Sequence, residues 1–266
     1  MIKRGIKVKR ASFLMNINVS TIYYKAVNKN NKDKEIYMII QQIAYKFSFY
    51  GYRRIYIVLR QMGYIINHKK VYRIYRELNL QRVKKSKAKN NIISFNNDKF
   101  LSIASKPNDI WSIDFAFDRI TNGRMVKIMA IIDINSRFCI GIEIGFSLTA
   151  EEVINKLEEC FSLYGKPKII RTDRGSEFRS REFEKFLARN RIKHEFINKG
   201  SPWENGNIES FIGKFREECL NLHEFDNLKE MREIIGNYRN FYNFRRPHSS
   251  LEGKTPYKYY KNVANS

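Results

Sequence analysis

The chain has 266 residues, 43% of them hydrophobic, enough for a packed core and more than one average domain. Its formal net charge is +23 with a pI near 9.9, which points to a polyanionic partner. Three separated cysteines without a CxxC pair, and four histidines without zinc spacing, exclude a disulfide framework and a zinc finger. No apolar run approaches the roughly 18 residues of a membrane span, and the basic start lacks a signal-peptide core, so a reduced, cytoplasmic setting is expected.

The charge is concentrated at the front. Residues 1–106 hold 24 Lys and Arg against 4 Asp and Glu, net +20, and residues 107–266 hold 26 against 23, net +3. Residues 9–27 read as two short helices around Asn16–Asn18, with Ser20 capping the second. From Asp33 the positions Ile36, Ile39, Ile40, Ile43 and Phe47 recur at helical spacing. A second stripe, Ile55, Val58, Leu59 and Met62, ends at Gly63, and Asn67 opens a third helix through Val71, Ile74, Tyr75 and Leu78. Two helices across a short turn predict a helix-turn-helix within residues 1–80. The outer face of the third helix carries Lys69, Lys70, Arg73 and Arg76, suited either to phosphates or to plain solvation. Residues 81–106, with Lys84 and Lys85 in the run QRVKKSKAK, read as a basic linker.

After Pro107 the pattern changes. Residues 110–117, 125–134 and 138–144 predict three antiparallel strands. In the first, Trp111, Ile113, Phe115 and Phe117 share one face, and Ser112, Asp114, Ala116 and Asp118 the other. Thr149 and Glu152 form a capping box for a helix ending near Gly165. Residues 168–173 predict a buried strand with Asp173 at its end, residues 181–191 a helix and residues 193–197 a last strand. Pro202 precedes a helix from about Glu204 striped by Ile208, Phe211, Ile212, Phe215 and Cys219. An α/β core over residues 107–222, built on a mixed five-stranded sheet flanked by helices, is the predicted fold class.

Asp114, Asp173 and Glu209 stand on two strands and a helix, with 58 and 35 residues between them. Only tertiary folding can bring them together, which fits a catalytic centre rather than a local chelate. Hard divalent ions take oxygen ligands, and two of them about 4 Å apart activate one oxygen and stabilise another in phosphoryl transfer. Clustered carboxylates repel without a cation, a cost that stability alone does not explain. Asp133, Glu177 and Asp118 are the acids most easily mistaken for members. Asp133 is read as pairing with Arg137 or capping a strand end, and Glu177 as supporting the site or touching DNA. Lys214 or Arg216 on the Glu209 helix is expected to hold a phosphate, with Gly213 admitting the backbone or simply packing. Residues 223–266 predict a further helix from Leu228 to Tyr242, then a Pro-stiffened loop, YNFRRPHSSL, whose Arg245 and Arg246 could meet DNA or fasten the loop; His248 is weak as a catalytic base.

The segments PNDIWSIDF, DRGSEF, PWENGNIESF and YNFRRPHSSLEGKTPYKYY, in this order, resemble the integrase-type (DDE) transposases of bacterial insertion sequences, in particular the OrfB-type catalytic frame of the insertion-sequence-three family. The resemblance covers nearly the whole chain. It implies a ribonuclease H-like core related to retroviral integrases, a catalytic and metal-binding triad at Asp114, Asp173 and Glu209, and two Mg²⁺ or Mn²⁺ ions. It further implies nicking of transposon ends, attack of a 3′-hydroxyl on target DNA, assembly as a homo-oligomer on DNA, and cooperation or fusion with an upstream-frame protein. The zinc-binding front of retroviral integrases is missing, and Glu204 stands where the family usually has Gln. A decayed element that binds DNA without cutting it, and a ribonuclease H-like nuclease that only hydrolyses, are the rival readings.

Overall fold

The computed structural model describes residues 8–15, 18–19, 30–81, 102–197 and 206–264. The predicted helix capped by Ser20, most of the linker with Lys84 and Lys85, and Pro202 and Glu204 lie outside the described residues. A short helix α1 (Val8–Leu14) comes first, followed by α2 (Asn30–Lys46), α3 (Tyr52–Gln61) and α4 (His68–Glu77). Their apolar stripes meet in one core of Ile40, Ile43, Tyr50, Ile55, Leu59, Val71 and Ile74. Gly63 ends α3 at φ +91, a left-handed position that costs glycine least. The Tyr64 amide returns to the Leu59 carbonyl at 3.0 Å, and the Asn67 side chain caps α4 by accepting from the Lys69 amide at 2.9 Å.

Strands β1 (Ile110–Arg119), β2 (Met125–Asp133), β3 (Cys139–Gly145), β4 (Ile169–Thr172) and β5 (Lys193–Phe196) form one mixed sheet in the order β3-β2-β1-β4-β5. β1 pairs antiparallel with β2 and parallel with β4, so the centre of the sheet lies beside the strand whose end carries Asp173. Alternation sorts the two faces. Trp111, Ile113, Met129 and Ile131 pack under α5 (Ala150–Tyr164) and α6 (Arg181–Arg189). Ala116, Val126, Ile128 and Ala130 pack under α7 (Gly206–Glu218) and α8 (Leu228–Phe244). The Thr149–Glu152 capping box is complete, with amide-to-side-chain bonds of 2.7 and 3.3 Å.

The tail departs from the sequence expectation. After α8 the chain makes a 3-10 turn and a further helix, α9 (Pro256–Ala264), in place of an open loop. Tyr257 and Tyr260 of α9 close over Phe138. A short KTPYKYY run with no long apolar period gives little signal for a helix that exists by docking its tyrosines.

The helix-turn-helix module is seated on the back of the core. Phe47 stacks on Phe241 of α8 at 5.3 Å. The Arg54 guanidinium reaches Glu218 of α7 at 3.0 Å, and Gln61 donates to the Gly253 carbonyl at 3.4 Å. Glu218 also receives two bonds from Arg246, at 2.6 and 2.7 Å, and both side chains are 1% exposed. A charge this deep persists only with its partner, and removing one partner costs about 3–5 kcal/mol. Glu218→Gln is therefore expected to lower stability by about 3 kcal/mol or more in urea unfolding, whereas Arg54→Ala, at the more exposed end, loosens the module at a cost of about 1 kcal/mol.

Candidate active site

Asp114 occupies the middle of β1 on the face turned toward α7, beside Ala116. Asp173 follows the last residue of β4, and its Oδ1 accepts from the Gly175 amide at 3.0 Å. Behind it the Thr172 hydroxyl donates to the Asp173 carbonyl at 2.7 Å and meets His194 Nε2 at 2.9 Å. Glu209 sits exposed in the first turn of α7. That helix is held against the sheet by Arg216, which donates to the Phe117 carbonyl of β1 at 3.1 Å.

The three acids come within reach of one another's charge. Burial pushes the Asp114 carboxyl up to about 6; the Phe115 amide bonded to it pulls the other way, and Asp173 and Glu209 add to the rise. Among the described residues, no group of three Asp, Glu, His or Cys side chains is placed so that it could hold a metal ion. As a donor set, hard oxygens from three separately anchored elements fit Mg²⁺ or Mn²⁺.

The acids set aside on sequence grounds have their own partners. Asp133 is fully buried and caps a turn, accepting from the Asn108 amide at 2.8 Å and the Ser136 amide and hydroxyl at 2.7 and 2.6 Å. Glu177 pairs with Lys127 of β2, and Asp118 accepts from the adjacent Arg119 amide at 2.8 Å. Lys127 was invisible to the sequence reading, because nothing in MVKIMAIID marks one lysine as facing a loop 50 residues away.

The cationic candidates divide. Lys69, Arg73 and Arg76 are exposed on α4; Arg73 lies 3.8 Å from Glu77, and Arg76 stands over the Tyr72 ring. Lys70 shares the same helix and is half-buried, and Arg245 is exposed at the end of α8. Lys214 is half-buried and donates to Ser210 at 2.6 Å; burial, then Arg246 and Arg54, lower its pKa. Gly213 faces open space. Arg246 is not on a surface at all: Glu218 holds it inside, so of the two expected ways for this loop residue to act it takes the fastening one. His248 beside it, with Nε2 at 3.1 Å from Arg246 Nη1, is pushed down to about 2 by burial and by surrounding cations.

Known proteins resemble the chain over most of its length. Residues 104–202 and 190–256 match models of the integrase core domain, and residues 31–88 match an HTH-like domain. The chain is 34% identical over 254 residues to the 31.7 kDa protein of insertion element IS407 from Burkholderia multivorans, covering 96% of this chain and 90% of that one. The chain belongs to the integrase-core transposases of bacterial insertion sequences. InsK of insertion sequence element IS150 from Escherichia coli K12, a transposase by name, is 29% identical over 251 residues, covering 90% and 88%. A simian T-cell lymphotropic virus intasome structure shares the fold at TM-score 0.52 and 18% identity, over 83% of this chain and 74% of that one. Membership supports a role for this transposase in DNA transposition, and no helix among its described residues is long and apolar enough to cross a membrane.

The raised Asp114 carboxyl makes a signed prediction. The native state binds this proton more tightly than the unfolded chain does, so stability is fuller below pH 4 and falls as pH climbs from about 4 to about 6. Asp114→Asn removes the penalty. Without divalent ions its melting temperature should exceed that of the parent at pH 7.5, by the equivalent of about 3 kcal/mol at most, and the two should converge in thermal scans below pH 4.

Proposed function

We propose that the chain cuts DNA at the ends of its insertion element and joins the freed 3′-hydroxyl to target DNA, with Asp114, Asp173 and Glu209 as the catalytic residues and the ligands of two Mg²⁺ or Mn²⁺ ions. The carrying observation is topological: Asp114 stands on β1, Asp173 just past the end of the neighbouring strand β4, and Glu209 on the helix that packs over the sheet face to which Asp114 turns. Such ions activate the attacking oxygen and neutralise the leaving one. The residues present do the positioning. The Asx-type bond to Gly175 orients Asp173, Arg216 fixes the helix that offers Glu209, and the Phe115 amide aligns Asp114.

DNA would lie across the basic face of α4 at Lys69, Lys70, Arg73 and Arg76, with Lys84 and Lys85, Lys214 and Arg216 on the active-site helix, and Arg245 as further phosphate contacts. Two element ends and a target have to be engaged together, which favours a homo-oligomer on DNA in the bacterial cytoplasm and nucleoid, with an upstream-frame protein or fusion supplying further end recognition.

Asp114→Asn, Asp173→Asn and Glu209→Gln are each expected to abolish Mg²⁺-dependent nicking and strand transfer on a labelled element end while leaving end binding intact in gel-shift assays. Persistent nicking by any one of them would remove that residue from the site. Binding should weaken linearly with log salt, and Lys69→Ala should reduce the slope by about one phosphate's worth. A supplied target duplex that is never joined to the cut end would leave hydrolysis alone.

A further inference from the structure

Lys127 lies on β2, behind the sheet from Asp114, and belongs to no acid or DNA-contact group named so far. Its ammonium pairs with Oε1 of Glu177 and stands 3.9 Å from the centre of the Phe115 ring. The pair is sheltered, 16% and 19% exposed, so solvent screens it little. Phe115 is the residue after Asp114, and it stacks at 5.2 Å and 18° on Phe178, which is fully buried at the end of the DRGSEF turn. The other Glu177 oxygen accepts from the Ser176 hydroxyl at 3.1 Å. Gly175 sits between the two acids of the turn: a Cβ there would lie 3.1 Å from Asp173 Oδ1 and 3.2 Å from Glu177 Oε2. Asp173 and Glu177 thus flank one backbone point, and whatever holds Glu177 holds the loop that presents Asp173.

We propose that Lys127 is a positioning residue for the catalytic centre: through its ion pair with Glu177 and its seat on Phe115, it sets the turn carrying Asp173 relative to the strand carrying Asp114. The geometry links the two acids from the rear by a cation, an aromatic stack and a carboxylate, none of which touches the reacting atoms. β2 supplies the anchor because it pairs with β1 along its whole length, whereas β1 and β4 share only three paired positions, Ile110 to Ser112, and these stop short of Asp114. Backbone pairing alone therefore leaves the Asp114–Asp173 spacing to side chains.

This inference rests on the proposed divalent-cation site, and its test separates the two. Mn²⁺ binding to the full chain is titrated by electron paramagnetic resonance, and strand transfer is measured against Mn²⁺ concentration. Lys127→Met should weaken Mn²⁺ binding about tenfold, as loss of a residue supporting metal ligands does, and its strand transfer should recover at saturating Mn²⁺. Asp173→Asn should show no such recovery. Glu177→Gln, which keeps a hydrogen bond but loses the charge, should fall between, and Lys127→Arg should restore near-parental affinity. A parental chain without a Mn²⁺ site would overturn the metal reading and this role together. A parental site whose affinity neither Lys127→Met nor Glu177→Gln alters would overturn only the role of Lys127.

Discussion

Two guanidinium groups share the carboxylate of Glu218, and the three parts of the molecule are arranged around that contact. Arg54 comes from the helix-turn-helix module, Arg246 from the loop after α8, and Glu218 from the end of α7. A buried ion pair seldom adds much net stability over an apolar replacement, but an incomplete one is severely penalised. The arrangement therefore makes core and tail depend on each other through the Glu218–Arg246 pair, and Arg54 ties the module to it at the more exposed end. The same helix carries Glu209 in its first turn and Glu218 in its last, so the element that presents Glu209 at one end is gripped at the other. His248, kept neutral among cations, lets the cluster carry two arginines without a third positive charge.

The placing of the three acids follows from a second constraint, the alternation of β1. Trp111 and Ile113 go beneath α5 and α6, which leaves Asp114 on the side of α7. Parallel pairing of β4 beside β1 brings Asp173 to the same end. Burial there raises the Asp114 carboxyl, and the charges of Asp173 and Glu209 add to the rise. The acids gather in the core, whereas the positive charge of the chain is concentrated in its first 106 residues.

Much of this was legible in the residues. The apolar period of 3.6 in α2, α3 and α4, the alternation in β1, the Asn67 cap and the Thr149–Glu152 capping box are local signals, and each sits where its pattern places it. The elements that carry Asp114, Asp173 and Glu209 were legible because each is strongly patterned. What stayed hidden depends on contacts far apart in the chain. Arg246 looks like any loop arginine until Glu218, 28 residues earlier, closes on it. Lys127 and Glu177 are separated by 50 residues, and α9 owes its existence to rings on other elements. Side chains whose role is to join elements carry no periodicity of their own.

Asn108 has a consequence for how force passes through the molecule. Its amide nitrogen donates to the Tyr164 carbonyl at the end of α5 and to the Tyr260 hydroxyl of α9, both at 2.9 Å, while its oxygen accepts from the Trp111 indole at 3.0 Å. A few residues upstream, Ser105 and Lys106 give their amides to Asp109. The point where the chain enters the core is thus tied to a helix end, to the tail and to the first strand at once. A pull on the chain at this point meets several bonds at once, and β1 cannot peel away from its first residue without breaking them together.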